Sequence, residues 1–311
     1  LDLLSLYLFN FKGKGVNKAM PKRINKSIEL LEQGQPVYMI GVEEPSYEAG
    51  KEMAKTWADM IRVGMEHGPF DMRALRNFML GLVAGGPTNS GHRTPTVVVE
   101  LPVVGTSVEM VKYNAWMFSQ ALATGVHGIL LCHANSPEAV QAFVEHCRYP
   151  FPQHGVGDGL EVGKRGSAGQ AMAGEIWGLS GPDYVVKADP WPLNPDGELL
   201  LGLKYENRIA LANVEKTTRV PGIAYAEWGP GDMGFSFGHI DAHDPPYPPE
   251  MSQARARIIK ACLEAGYAFF EGAAADEITV KIDEGIRIFG CRDGEEVARI
   301  GREYAGRTMP V

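Results

Sequence analysis

The strongest constraint on this chain is an alternation of short apolar runs with amphipathic segments. The runs fall at 37–42 (VYMIGV), 60–66 (MIRVGME), 96–102 (TVVVELP), 128–134 (GILLCHA), 199–206 (LLLGLKYE), 222–228 (GIAYAEW), 268–274 (AFFEGAA) and 286–291 (IRIFGC). Between them lie segments of helical period such as 46–57, 137–147, 251–266 and 293–306. Strands that are almost wholly apolar are buried on both faces, as in a parallel sheet. Eight of them alternating with helices, over about 250 residues or more, predict a closed (β/α)₈ TIM barrel. An open doubly wound sheet is the alternative. The glycine cluster at 155–166 (GVGDGLEVGKRG) would suit nucleotide binding there. It lacks the GxGxxG form at a strand-to-helix turn, so it does not support that reading.

The stretch 148–198 breaks the rhythm with RYPFPQHGVGDG and ADPWPLNPDGE around a short helical segment, SAGQAMAGEIWGL. Inserted loops of this size commonly carry function when they lie at the C-terminal ends of barrel strands, and 148–198 is read as such an insertion. Residues 1–19 are read as an extension, because MPKRINKSIELLEQG from Met20 resembles a natural start. Residues 20–311 are then one barrel domain.

Composition excludes several classes. The formal net charge of -8 argues against non-specific nucleic-acid binding, which needs a basic footprint. No apolar run reaches the ~18 residues that span a bilayer. The opening LDLLSLYLFNFKGKG lacks the basic start and small-residue cleavage site of a signal peptide. Cys132, Cys147, Cys262 and Cys291 form no CxxC pair, so neither a disulfide framework nor a zinc knuckle is expected. A reducing, cytoplasmic setting is the simplest reading. Cys132 and Cys291 lie in apolar runs and read as core.

Acids crowd the predicted strand ends: Glu66, Glu100, Glu206, Glu227, Asp232 and Glu271. Buried carboxylates are costly unless paired or bound to metal. Glu206 and Asp232 follow consecutive strands, which are neighbours in a barrel, and such a pair suits Mg²⁺ or Mn²⁺. The structural alternative pairs Glu206 with Arg208 and makes Asp232 a helix cap. His67 suits a general base or a plain rim histidine, and His133 a substrate contact beside a helix start at Asn135 and Ser136. The glycine-rich 226–238 (AEWGPGDMGFSFG) is either a turn or backbone left bare for an anionic ligand.

Five segments together, NKSIELLEQGQPVYMIGV, EHGPFDM, GVHGILLCHANSPEAVQAFVEHCRYP, LKYENRIAL and GPGDMGFSFG, resemble the HpcH/HpaI aldolase family in the same order, over about residues 22–307. These are metal-dependent class II aldolases acting on 2-oxo acids, and macrophomate synthase is a relative. The resemblance implies a pyruvate-type TIM barrel, assembled as a homohexamer (a trimer of dimers) with an exchanged C-terminal helix. It implies a divalent metal on Glu206 and Asp232: Mg²⁺ or Mn²⁺, with Co²⁺ or Zn²⁺ as further options. It makes His67 the catalytic histidine and sets the carboxylate of a small 2-oxo acid against the amides near Gly231 and Asp232. Its partners are that small molecule and other copies of the chain, with no nucleic acid and no membrane.

Three positions depart from the family pattern. Glu100 stands where an arginine contacts the oxo acid, Gly64 where an aspartate precedes EH, and Ala123 where an aspartate partners the histidine. Glu100 therefore either pairs with a cation such as Arg62 or selects a substrate with a donor group. Arg62, Lys204 and Arg165 are the candidates for the missing cation. The leading expectation is retro-aldol cleavage of a 2-oxo acid. Redirected oxo-acid chemistry (decarboxylation or hydration) and a non-catalytic binding barrel are the alternatives.

Overall fold

The computed structural model describes residues 21–290 and 294–311. Nine parallel strands are present among them: β1 (Val37–Val42), β2 (Met60–Gly64), β3 (Thr96–Val104), β4 (Gly128–Cys132), β5 (Pro190–Trp191), β6 (Leu199–Tyr205), β7 (Tyr225–Trp228), β8 (Ala268–Gly272) and β9 (Ile288–Gly290). β1 to β4 pair in sequence order, as do β5 to β9, while β1 pairs with β9 and β4 with β6. The ring therefore closes on eight strands, with the two-residue β5 hung on β6. The expected TIM barrel is borne out, and the open doubly wound sheet is not. Each predicted apolar run contains a barrel strand, although Cys291, read as core, lies outside the described residues.

Strand periodicity divides the apolar residues between two sides. Met39, Met60, Val98, Leu130, Leu200, Tyr225, Phe270 and Ile288 fill the barrel interior. Alternate residues such as Ile61, Val99, Ile129, Leu201 and Phe269 face the surrounding helices. The N-terminal end of the barrel is plugged by the helix Lys26–Glu32, whose Ile28 and Leu30 join the interior cluster. Asn25 starts this helix by accepting from the backbone N–H groups of Ser27 and Ile28.

The same end holds a buried ion cluster. Asp59, just before β2, is fully buried. Its carboxylate lies 3.0 Å from Lys26 Nζ and accepts two 2.7 Å hydrogen bonds from the Arg307 guanidinium. Arg302 Nη2 lies 3.4 Å away. Burial alone would raise the Asp59 pKa, but Lys26 and the two guanidinium groups outweigh it and hold the carboxyl well below its usual range. Arg302 and Arg307 belong to the C-terminal helix Gly294–Tyr304 and the tail after it. That helix packs on the barrel of its own chain: a Cβ at Gly301 would fall 2.0 Å from the Tyr38 hydroxyl.

The insertion 148–198 also sits at the N-terminal end, away from the strand C-termini where it was expected. The helix Pro137–Cys147 runs back from the mouth, so the chain leaves it at the far end and re-enters β6 there. Within the insertion lie two helices, Gln170–Trp177 and Gly181–Lys187, the second not predicted. Trp177 stacks on His127 and donates to Gly125 O at 2.9 Å, both just before β4. Arg148 and Asp189 clamp the insertion through a fully buried two-point ion pair (2.6 and 3.0 Å). The insertion's glycines and prolines shape this cover, and they contribute nothing to the mouth.

Removing one partner of a buried ion pair leaves an uncompensated charge and costs about 3–5 kcal/mol. Asp59→Asn should therefore lower unfolding free energy by about that amount in urea titrations, while binding at the opposite end of the barrel is kept. The sign with pH follows from the depressed folded-state pKa. The Asp59 contribution is present above its ordinary value of 3.8 and fades as pH falls below it, so the variant's acid limb should be shallower.

Candidate active site at the barrel mouth

Charged residues occupy the inner positions of the strands and the loops that follow them. Arg62 (β2), Glu100 (β3), Lys204 (β6) and Glu227 (β7) alternate in phase with the interior apolar residues and so point inward. Lys204 and Glu227 are register partners on adjacent strands. Glu66 and His67 follow β2, His133 follows β4, Glu206 follows β6, and Asp232 lies in the first turn of the helix Pro230–Phe237 after β7.

Arg62 Nη1 lies 3.4 Å from Glu100 and 3.3 Å from Glu227. Lys204 Nζ lies 2.9 Å from Glu66, 3.1 Å from Glu206 and 4.0 Å from Glu100. Four carboxylates thus share two cations. Burial pushes the Glu206 carboxyl up to about 8 and Glu227 to about 7. Burial also opposes the Glu66 charge, yet Lys204 outweighs it and holds that carboxyl below the usual value. Burial opposes the Lys204 charge as well, but Glu227, Glu206 and Glu100 outweigh it and keep the ammonium protonated.

Glu206 is fully buried and is placed by strained backbone. His133 adopts φ 51°, in the left-handed region that a non-glycine residue rarely enters. This turns its N–H onto Glu206 Oε1 at 2.8 Å. Burial lowers the His133 pKa against the pull of Glu66 and Asp232. Its Nδ1 lies 3.2 Å from the Asn207 amide nitrogen, and Asn207 also donates to Asn135 at 2.8 Å. The Arg208 pairing considered for Glu206 does not occur: the Arg208 guanidinium lies 6.0 Å from the Phe237 ring, and its backbone N–H donates to Ser236.

The bare stretch after β7 now has a physical account. Gly229 is the residue that starts the helix, with no side-chain cap, and Asp232 does not cap it. A Cβ at Gly229 would meet Glu206 Oε2 at 2.7 Å and Glu206 Cβ at 2.9 Å, so glycine lets the strand end lie over the buried carboxylate. Pro230 has no N–H, and the amides of Gly231 and Asp232 fall in the first turn, where no acceptor exists within the helix. Those two donors and the positive end of the helix dipole suit an anion.

The residues present fit a divalent cation. Glu206 Oε2 and Glu66 Oε1 are buried and make no hydrogen bond; Lys204 is close to Glu206 Oε2 without the alignment of one. Two groups place their donor atoms within 4.8 Å of one another: His133, Glu206 and Asp232, and Glu66, Cys132 and Glu206. Burial drives the Cys132 thiol well above its usual pKa, so it offers no anionic sulfur. The oxygen-rich first group suits a hard ion.

Other expected residues fall as follows. Glu100 is buried and paired with Arg62, the first of the two arrangements expected for it. Gly64 is its register partner, and a Cβ there would sit 3.3 Å from Glu100 Oε2. An aspartate at 64 would press a second carboxylate on the first, so Gly64 and Glu100 belong together. His67 is largely exposed (75%), with Nε2 3.4 Å from Glu66 Oε2. Ala123 ends the helix Ala115–Ala123 that leads into β4, at the opposite end from His67. Arg165 stacks on Tyr149 in the insertion and is remote from the mouth. Glu271 is held by a two-point pair with Arg255. Cys132, read from sequence as plain core, borders the carboxylate cluster. A wider cavity of about 750 Å³ opens between β7, β8 and β9, lined by Glu227, Trp228, Tyr247, Arg255 and Phe270.

No protein-family model matches the chain. A hydroxypyruvate/pyruvate aldolase of Roseobacter denitrificans is 23% identical over 249 residues, covering 80% of this chain and 82% of the relative. Among solved structures, an HpcH/HpaI aldolase/citrate lyase family protein of Burkholderia cenocepacia superposes with a TM-score of 0.67 at 22% identity, covering 90% of this chain and 97% of the other. Macrophomate synthase superposes with a TM-score of 0.67 at 20% identity, covering 94% and 89%. The similarity to HpcH/HpaI aldolases drawn from the motifs is borne out by these relatives, and the structural likenesses establish the fold.

The raised Glu206 pKa has a measurable consequence. A carboxyl at about 8 in the folded chain and 4.5 ordinarily binds its proton more tightly when folded. Its contribution to stability is therefore full below 4.5 and is lost as pH rises toward 8. Glu206→Gln cannot titrate, so in chelator-treated protein its melting temperature should fall less between pH 5 and 8 than that of the parent. Expressed as unfolding free energy, the difference should be on the order of a few kcal/mol. Parallel curves would show that Glu206 is ionised throughout.

Proposed function

We propose that this chain is a divalent-metal-dependent lyase of the HpcH/HpaI aldolase type, cleaving a carbon–carbon bond of a hydroxylated 2-oxo acid to release pyruvate or a related oxo acid. One observation carries the reading. A fully buried glutamate with an unpartnered oxygen, Glu206, stands within ligand range of Asp232 at the mouth of a parallel barrel, beside a helix N-terminus with free amides. The aldolase named among the relatives supports the same chemistry.

Glu206 and Asp232 would hold the ion, Mg²⁺ or Mn²⁺ in preference to Co²⁺ or Zn²⁺ because the donors are mainly carboxylate oxygens. When bound, the ion supplies Lewis acidity to a 2-oxo acid and offsets the charge of its enolate. The amides of Gly231 and Asp232 orient the substrate carboxylate. His133, beside Glu206, lines the same pocket and contacts the bound acid. His67, exposed at the rim beside Glu66, takes the proton of the substrate 4-hydroxyl through water as the C3–C4 bond breaks. Glu100 acts here through Arg62, fixing the guanidinium between itself and Glu227 at the edge of the substrate site.

Assembly as a homohexamer, a trimer of dimers, is part of the proposal. The large exposed apolar side chains Tyr113, Phe235 and Ile240 fit contacts between copies. A cytoplasmic setting fits the free buried thiols of Cys132, Cys147 and Cys262. Among the described residues no helix is long and apolar enough to cross a membrane.

Purified protein with Mn²⁺ and a 4-hydroxy-2-oxo acid should release pyruvate, followed by a coupled lactate dehydrogenase assay. Glu206→Ala and Asp232→Ala should abolish both this activity and the calorimetric signal of Mn²⁺ binding while the barrel stays folded. Retention of full Mn²⁺ affinity by both variants would sink the ligand assignment. His67→Ala should cut turnover by about 10²- to 10⁴-fold with little change in oxo-acid affinity. A loss under about threefold would return His67 to a rim residue.

A further inference from the structure

The two cations at the mouth are not equivalent. Arg62 lies between Glu100 and Glu227 and makes no ion pair with Glu206. Lys204 enters from β6, and its ammonium bridges Glu66, from the loop after β2, to Glu206 across the barrel; the His133 ring lies farther from both, at 3.9 and 3.5 Å. Its hydrogen bond goes to Glu66 Oε2 at 2.9 Å. Toward Glu206 Oε2 it has only proximity, at 3.1 Å, and that oxygen keeps no hydrogen-bond partner. The lysine is thus anchored on one carboxylate and loosely set against the other. The loosely held oxygen belongs to the residue assigned to the metal.

We propose that Lys204 is a built-in counter-charge for the metal site, holding Glu66 and Glu206 together in the ion-free protein and yielding Glu206 to the divalent ion, so that it sets the affinity for that ion. This rests on the reading that Glu206 and Asp232 bind the ion. The physical argument is a competition for one oxygen. Without a cation, Glu66 and Glu206 would repel each other in a buried setting and favour local opening or protonation. The ammonium offsets part of that penalty, and a flexible four-carbon stem lets it withdraw toward Glu66 and Glu100. Once a divalent ion sits on Glu206, the ammonium is a like charge a few ångströms away, and the two are coupled unfavourably. Coupling is reciprocal: if the ion weakens the hold on Lys204, then Lys204 weakens the hold on the ion.

The test is a Mn²⁺ titration by calorimetry of the parent, Lys204→Met and Lys204→Arg at one pH, with melting curves in chelator and in saturating Mn²⁺. Lys204→Met, which keeps the stem and drops the charge, should melt below the parent in chelator. Saturating Mn²⁺ should then raise its melting temperature by more than it raises the parent's, and its Mn²⁺ affinity should rise about 5- to 100-fold. Lys204→Arg keeps the charge and should bind Mn²⁺ about as the parent does. If Lys204→Met does not fold, Lys204→Gln, which can still donate to Glu66, serves for the same comparison. Equal or weaker Mn²⁺ affinity in the uncharged variant, with an equal gain in melting temperature, overturns the proposal and leaves Lys204 a structural ion pair. Absence of Mn²⁺ binding by the parent overturns the metal reading itself, a result distinct from the former.

Discussion

The mouth of this barrel is organised by an excess of buried negative charge. Glu66, Glu100, Glu206 and Glu227 converge on Arg62 and Lys204, so two carboxylates have no full charge to answer them. In a low-dielectric interior such an imbalance is met by protonation, by a bound cation or by strain. Protonation shows in the raised values of Glu206 and Glu227. Strain shows in the left-handed backbone of His133, whose N–H is turned onto Glu206. A bound cation fits the two buried oxygens that find no hydrogen bond. The glycine at 229 is a further consequence, since any side chain there would invade the Glu206 carboxylate, and the glycine at 64 spares Glu100 a tight 3.3 Å contact.

The two ends of the barrel divide the work. At the N-terminal end every buried acid is answered: Asp59 faces three cations, Arg148 meets Asp189, and the plug helix fills the interior. Covering that end with the insertion and the C-terminal tail adds rigidity where no ligand enters. At the C-terminal end charge is left unbalanced, and the strands terminate in loops that present polar groups. This separation is the usual one for barrels, with stability at one face and chemistry at the other. It lets the mouth hold strained and unpaired groups because the opposite end over-determines the fold.

The departures from the aldolase pattern are linked through geometry. A glutamate at 100 needs space at 64 and a cation within reach, and the chain supplies Gly64 and Arg62. Lys204 then approaches the same carboxylate from the far side of the barrel at 4.0 Å. Positive charge at the mouth is thus carried by β2 and β6, while β3 contributes an acid.

The sequence by itself determined the barrel, the place of its eight strands, and the adjacency of Glu206 and Asp232. The reason is local: strands buried on both faces must be apolar throughout, and consecutive strands of a parallel barrel are neighbours. The aldolase motifs were legible for the same reason, being short segments at strand ends. Only the tertiary structure decided which charges meet. Lys204 and Glu66 are 138 residues apart, and their contact depends on ring closure and on the phase of each strand. A shift of one residue in β6 would turn Lys204 outward. The same dependence on closure hid the bottom-side course of 148–198 and the clash that keeps position 229 a glycine. A sequence records which residues are inward-facing candidates; the closed sheet fixes the distances between them, and electrostatics acts on distance.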